Sequence, residues 1–124
     1  MHGGLAEAPL DVTLLCRLAR VESEMSEAEK GEVRRQLVMS AVSRARAAVK
    51  AAPDSAQAHV WLAASLGRQA LQEGPKARLA LSKEIKAEAD RAIALDPGIG
   101  RAWHVRALWN RGVASLNMVE RAVA

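Results

Sequence analysis

Residues 89–97 read Ala-Asp-Arg-Ala-Ile-Ala-Leu-Asp-Pro, and Ala102-Trp103 follows a few positions later. Small side chains at 89 and 92 allow a second helix to pack closely. The Leu-Asp-Pro end stops the first helix, because the residue before a proline disfavours the helical conformation. One helix therefore ends, and another begins, within a few residues. This stretch predicts a helical hairpin and an all-α protein.

The same pattern recurs upstream at an offset of 44 residues. The matching pairs are Ala45 with Ala89, Ala48 with Ala92, and Pro53 with Pro97. A repeat at a fixed spacing indicates a solenoid, in which each antiparallel hairpin covers the apolar face of its neighbour. The 124 residues leave room for about three hairpins, of which the last is truncated.

Capping and helix-breaking residues set the expected helix boundaries. Ser26 and Glu29 have the spacing of a capping box at the start of the second helix, although Gly31 can delay regular helix by a turn. Pro53 and the Gly74-Pro75 pair interrupt the helical pattern. The predicted helices span about 11–25, 26–52, 55–73, 76–95 and 99–115, and a sixth begins at Asn117. Residues 1–10 lack periodicity and are predicted to be a flexible lead-in to a helical domain over 11–124.

The composition argues against an enzyme. Catalysis by acid, base or nucleophile needs two or three side chains within hydrogen-bond reach of one another. The few candidates, Cys16 and the histidines His2, His59 and His104, share no metal-ligand spacing. We expect His59 to be an interhelical residue with its hydrogen bonds satisfied and Cys16 to be an inert thiol. The sequence therefore predicts no catalytic residue, no metal and no cofactor.

The formal net charge is +4, but acidic and basic residues alternate along the predicted helices, as in residues 83–88. Such alternation is typical of a solvated helix face. Nucleic-acid binding is an alternative that the scarcity of stacking aromatics disfavours. No apolar run approaches the length of a membrane span. We expect a soluble protein of the cytoplasm, or of the periplasm if a signal peptide has been removed.

The second half of the chain carries a family resemblance. The residues that carry it are Trp61-Leu62-Ala63, Leu66-Gly67-Arg68, Glu73-Gly74-Pro75-Lys76, Leu81-Ser82-Lys83-Glu84-Ile85-Lys86, Ala92-Ile93-Ala94-Leu95-Asp96-Pro97, His104-Val105, Trp109, Leu116-Asn117 and Glu120-Arg121. In these residues the chain resembles the bacterial and eukaryotic tetratricopeptide proteins related to the regulators of microtubule dynamics, and we expect it to be a bacterial-type relative. The resemblance implies a short right-handed solenoid of tetratricopeptide-like hairpins. It also implies a non-enzymatic scaffold that binds a protein partner.

Aligning the first helix of each hairpin predicts a concave groove for that partner. Its lining contains five arginines and no acid, a composition that suits an acidic peptide, because guanidinium groups bind carboxylates in bidentate fashion. Trp61 would supply the aromatic anchor. The alternative is that Trp61 packs against the neighbouring hairpin and the arginines are merely solvated. The predicted groove residues are Arg17, Arg20, Gln57, Trp61, Arg68, Arg101, His104, Leu108 and Arg111.

The C-terminal end offers a second candidate interface. The predicted sixth helix is too short to cover the fifth, since isolated short helices are marginal in water. Trp109, Val113 and Leu116 would then form an apolar strip of the kind that marks interfaces. We expect another copy of the chain or a partner subunit to complete this end, which would make the protein a structural subunit of a larger assembly. The alternative is a frayed tail.

Overall fold

A computed structural model describes the backbone of residues 4–123 and the side chains of residues 11–111. Over this part of the chain the protein consists of helices joined by short turns and contains no strand, which confirms the all-α prediction. The five helices are α1 (Gly4–Glu27), α2 (Gly31–Ala51), α3 (Ala56–Ala70), α4 (Pro75–Leu95) and α5 (Gly100–Val123).

The helices form two layers. Each of the pairs α1 with α2 and α3 with α4 packs as a hairpin, while α1, α3 and α5 lie side by side in one layer. α3 also packs on α2, and α5 packs on α4, so each new hairpin covers the preceding one. This arrangement is that of a helical-repeat solenoid.

The core is built largely from small residues. Ala45, Ala63, Ala89 and Ala92 have no exposed surface, and Leu66 is likewise fully buried. Alanine lets neighbouring helix backbones approach closely, so the core needs few large side chains. The repeat that predicted these positions therefore corresponds to positions where helices cross.

Prolines mark the helix boundaries, as expected. α2 ends shortly before Pro53, α4 begins at Pro75, and α4 ends shortly before Pro97. Ser55 caps α3, because its hydroxyl accepts a hydrogen bond from the Ala58 amide at 3.2 Å. At the other end of α3, Arg78 donates from Nε to the Ala70 carbonyl at 3.0 Å and so satisfies a terminal carbonyl.

Polar contacts also join α3 to α4 and α2 to α4. His59 of α3 has Nδ1 2.6 Å from Glu88 Oε1 on α4 and Nε2 2.6 Å from the Pro53 carbonyl oxygen. His59 is thus an interhelical residue with both ring nitrogens engaged, as predicted. Arg46 of α2 donates to both carboxylate oxygens of Glu84 on α4, at 2.6 and 3.1 Å.

The turn between α1 and α2 differs from the prediction. The prediction of a capping box at the start of α2 is wrong. Ser26 is still inside α1, where its hydroxyl donates to the Ser23 carbonyl at 2.6 Å. The chain turns instead at Gly31, whose φ of +62° favours glycine. Ser23 is 2% exposed and Met25 is 52% exposed, so Ser23 and not Met25 faces the core near the end of α1.

The outer boundaries also differ. α1 begins at Gly4 rather than near residue 11, so residues 4–10 are helical and not an irregular lead-in. α5 runs without a break to Val123, so the separate sixth helix predicted at Asn117 is wrong. A single asparagine costs a helix little when no proline or glycine accompanies it.

Candidate protein-binding face

The helices α1, α3 and α5 meet around Trp61. This side chain is only 8% exposed and belongs to the main core cluster. The Arg101 guanidinium from α5 lies 4.6 Å from the centre of the indole ring, and the Arg20 guanidinium from α1 lies 6.0 Å from it. Both distances are within the range of cation–π attraction. We call Trp61, Arg20 and Arg101 the Trp61 cluster.

The charges of the Trp61 cluster are largely uncompensated. Arg101 forms no ion pair with any side chain that the structure describes. Arg20 lies 3.6 Å from Glu24, with about half or more of each side chain exposed, and such a surface pair contributes little. A guanidinium stacked on an indole keeps its N–H edge available. The cluster can therefore donate hydrogen bonds to a carboxylate.

Two of the predicted groove arginines have acidic neighbours from outside the predicted lining. Arg68 forms an ion pair with Glu27 of α1, and Arg20 faces Glu24. The positive charge of these two arginines is therefore partly compensated. Glu24 follows Arg20 by four residues, a helical spacing that could have revealed the pair. No local signal could reveal the pair between Arg68 and Glu27, because it forms only when α3 packs on α1.

The other predicted groove residues are exposed side chains. The structure shows no hydrogen bond or ion pair that joins any of them to the Trp61 cluster within the described residues. Leu108 is 48% exposed, and its apolar surface is free to contact a partner. The remaining exposed members are Arg17, Gln57, His104 and Arg111.

A second tryptophan, Trp109 of α5, lies between cations in the same way. Arg106 and Lys86 are 4.9 and 5.9 Å from its ring centre. Here, however, Asp90 accepts hydrogen bonds from Lys86 at 2.6 Å and from Arg106 at 2.9 Å. The Trp109 indole N–H donates to the Ser82 carbonyl. We call Trp109, Lys86, Arg106 and Asp90 the Trp109 cluster.

The cations of the Trp109 cluster are paired with an acid of the same cluster. The hydrogen bond from Lys86, and then that from Arg106, lowers the pKa of Asp90. Arg106 also donates to the Asn110 side chain, so its guanidinium is engaged on two sides. Trp109 is partly buried against the core, whereas the side chains of Val113 and Leu116 lie outside the described residues. The predicted apolar strip at this end therefore remains a prediction.

Among the described side chains, Cys16 and His59 are both enclosed by the fold. Cys16 is buried, and this burial raises the pKa of its thiol, which disfavours the reactive thiolate form. Both ring nitrogens of His59 face oxygen atoms of the protein. Among the described side chains, no group of three or more His, Cys, Asp or Glu could hold a metal ion. None of the described helices is long and apolar enough to cross a membrane.

A family model described as regulator of microtubule dynamics protein 1-3 matches residues 4–124. Regulator of microtubule dynamics protein 3 of Mus musculus is 32% identical over 111 residues, which cover 89% of this chain and 24% of the relative. Protein 1 of Bos taurus is 31% identical over 116 residues, which cover 92% of this chain and 37% of the relative. Protein 1 of Caenorhabditis elegans is 30% identical over 111 residues, which cover 90% of this chain and 49% of the relative. No solved structure matches significantly.

Proposed function

Because this chain belongs to the regulator of microtubule dynamics protein 1-3 family, we propose that it is a non-enzymatic protein-interaction module. We propose further that it binds an acidic segment of a partner protein on the face formed by α1, α3 and α5. The relatives are named as regulators of a protein polymer, which supports a protein partner. The chain spans a quarter to a half of the length of the relatives described above, so their whole activity is not transferred to it.

The observation that carries the proposal is the stacking of Arg101 on Trp61. A free arginine side chain loses conformational entropy when it binds a carboxylate. At 4.6 Å from the ring centre, the Arg101 guanidinium is already oriented, and within the described residues no acid occupies it. A carboxylate that binds Arg101 therefore displaces no protein group and orders little new structure.

Arg20 extends the same surface. Its exposed pair with Glu24, at 3.6 Å, is weak enough for an incoming carboxylate to replace. Exposed Arg17 and Arg111 add positive potential, which attracts an acidic chain from a distance. Glu27 holds Arg68 in an ion pair, so we place the edge of the binding surface at Arg68.

The test measures fluorescence anisotropy of a labelled glutamate-rich peptide of about 12 residues. Arg101→Glu should weaken binding at least about tenfold, because it replaces a charge-assisted hydrogen-bond donor by a like charge. Arg91→Glu is the matched control, since Arg91 is exposed on α4 and makes only a 3.4 Å contact with Asp54. Its effect should stay within about twofold.

Equal losses for Arg101→Glu and Arg91→Glu would contradict the proposal, because the peptide would then be sensing only net charge. A single-stranded DNA probe is titrated beside the peptide at two salt concentrations. Tighter binding of the DNA with a steep salt dependence would favour the alternative of nucleic-acid binding.

Two finer assignments are also proposals. The internal repeat of 44 residues and the two-layer packing support tetratricopeptide-type hairpins with a right-handed superhelix. An interface with another copy or a partner subunit through Trp109, Val113 and Leu116 is the second, and it is to be tested by sedimentation over a range of concentrations. The relatives described above are animal proteins and give the expected bacterial type no support.

A further inference from the structure

The outer face of α1, opposite its buried side, carries a row of apolar side chains. Leu14, Val21 and Met25 are 54%, 48% and 52% exposed, and Leu18 is half-buried between them. Their spacing of four, three and four residues places all four on one stripe of the helix, as in the seam of a coiled coil. Single exposed apolar residues are ordinary, but a contiguous row of this kind marks an interaction surface. We call these four residues the α1 seam.

The internal repeat shows what the same stripe does one hairpin later. The offset of 44 residues matches the first three residues of the α1 seam with Ala58, Leu62 and Ser65 of α3. These α3 residues are at most 3% exposed, because α3 packs against α1, α2, α4 and α5. Among the described helices, α1 packs only against α2 and α3. The α1 seam is therefore a stacking face of the solenoid that no described helix covers, although the outer face of a terminal repeat is ordinarily polar.

The charges beside the α1 seam fit a second copy of the chain. Arg17 and Glu24 are exposed and lie on the same flank of the seam. When two copies of α1 pack antiparallel, like flanks face each other, so Arg17 of each copy lies beside Glu24 of the other. A parallel pair would instead bring Arg17 to Glu22, whose carboxylate already accepts hydrogen bonds from Ser40 and Arg44 at 2.6 and 3.0 Å. The charges therefore favour the antiparallel pair.

Both charged groups are available for this contact. Arg17 forms no ion pair with a side chain that the structure describes. Glu24 lies 3.6 Å from Arg20, and both side chains are more than half exposed, so this pair contributes little and Glu24 can turn to a second copy. The dimer thus uses Arg17 and Glu24, while Arg20 and Arg101 remain for the acidic segment.

We propose that the α1 seam is the interface of a homodimer, in which two copies of α1 pack antiparallel about a twofold axis. Leu14 then contacts Met25 of the second copy, and Leu18 contacts its Val21, so the same pairs recur on both sides of the axis, as an isologous interface requires. The contact is shorter than the roughly three to four heptads of a free-standing coiled coil, but the fold already holds α1 as a helix. We therefore expect a dissociation constant of about 1–100 µM, as for a small interface.

The test is analytical ultracentrifugation of the full chain between about 1 and 300 µM, a range that brackets this constant. The wild type should pass from monomer to dimer. Leu14→Glu should weaken the dimer at least about tenfold, because it places a charge in the seam. Leu71→Glu is the matched control, since Leu71 is 67% exposed and lies outside the seam at the end of α3, and it should leave the association unchanged. The melting temperature of each variant confirms that it is folded.

Charge reversal tests the antiparallel arrangement. Arg17→Glu and Glu24→Arg should each weaken self-association at least about tenfold, because each places like charges together on both sides of the axis. An equimolar mixture of the two variants should dimerise as tightly as the wild type, since every acid then faces a base. In a parallel pair Arg17→Glu would meet Glu22 of the second copy, and the mixture would not recover.

A chain that remains monomeric at about 300 µM would overturn the proposal and leave the α1 seam to a helix of another protein. A dimer that Leu14→Glu leaves intact would also overturn it, and loss of that dimer in Val113→Asp would assign the contact to the C-terminal end. A mixture that stays monomeric would overturn the antiparallel pairing. Arg101→Glu should not change the association, because Arg101 lies on α5, so the homodimer and the acidic-segment face can fail independently.

Discussion

The two tryptophan clusters are built from the same kinds of side chain and differ in what neutralises their cations. Each indole has two cations within about 6 Å of its ring centre. In the Trp109 cluster, Asp90 bonds both cations and Ser82 accepts the indole N–H. In the Trp61 cluster, Arg101 has no ion pair within the described residues. A cation on an aromatic ring therefore does not by itself indicate a binding site.

The two clusters differ in the charge of Arg101, which has no ion pair within the described residues, and not in the aromatic ring. Trp61 is the more buried of the two indoles and contributes mainly to packing. A partner would contact the arginine edges above it. Substitutions in the two clusters therefore test whether the Trp109 cluster is structural and the Trp61 cluster offers a binding surface.

The largest expected effect comes from removing either indole. Trp61→Ala should lower the free energy of unfolding by about 3–5 kcal/mol, because it empties a buried site. Trp109→Ala should fall at the lower end of that range, since its ring is only partly buried. Urea denaturation measures both. A loss below about 1 kcal/mol at Trp109 would mean that this ring belongs to an exposed surface instead.

Charge reversal separates the clusters more sharply. Arg106→Glu places a second carboxylate beside Asp90 and should destabilise the fold by about 1–2 kcal/mol. Arg101→Glu loses the cation–π contact with Trp61 but no carboxylate partner among the described residues, so it should cost less, about 0.5–1 kcal/mol. Thermal melts of the two variants give the comparison. If Arg101→Glu were the more destabilising substitution, the Trp61 cluster and not the Trp109 cluster would be the structural one.

The smallest expected effect is a dependence on pH. The pKa of Asp90 is lowered in the folded protein, so its stabilisation is present above the unfolded pKa of about 3.9 and is lost as the pH falls through the folded pKa. The Asp90 side chain is 42% exposed, so the contribution should be well under about 1 kcal/mol.

Unfolding of the wild type and of Asp90→Asn at neutral and acidic pH measures this contribution. The wild type should lose more stability than the variant below about pH 4, since the other carboxylates titrate in both proteins. Identical pH profiles would show that Asp90 contributes nothing to folding.

The sequence predicts the helix boundaries best where backbone chemistry decides them. Pro53, Pro75 and Pro97 mark helix boundaries, because proline constrains its own backbone and that of the preceding residue. Ser26 and Asn117 failed as start signals, because a polar side chain can cap a helix or simply lie within one. Only the packing around it decides between these two outcomes.

The candidate site was less predictable for the same reason. The alignment of hairpins placed Trp61 and Arg101 on one face, yet the burial of Trp61 depends on α1 and α5 closing over α3. Glu27 could not be assigned to Arg68 before that packing was known. The exposure of the α1 seam likewise depends on how the helices pack.

The contacts of His59 have a consequence for how the protein opens. Its ring joins the turn at Pro53 to Glu88 of α4, while Arg46 and Glu84 join α2 to α4. A solenoid with weak coupling between repeats can lose one repeat at a time, whereas strong coupling makes its repeats melt as a unit. The amide protons of α2, α3 and α4 should therefore exchange with solvent through one shared opening event, making these three helices a single cooperative foldon.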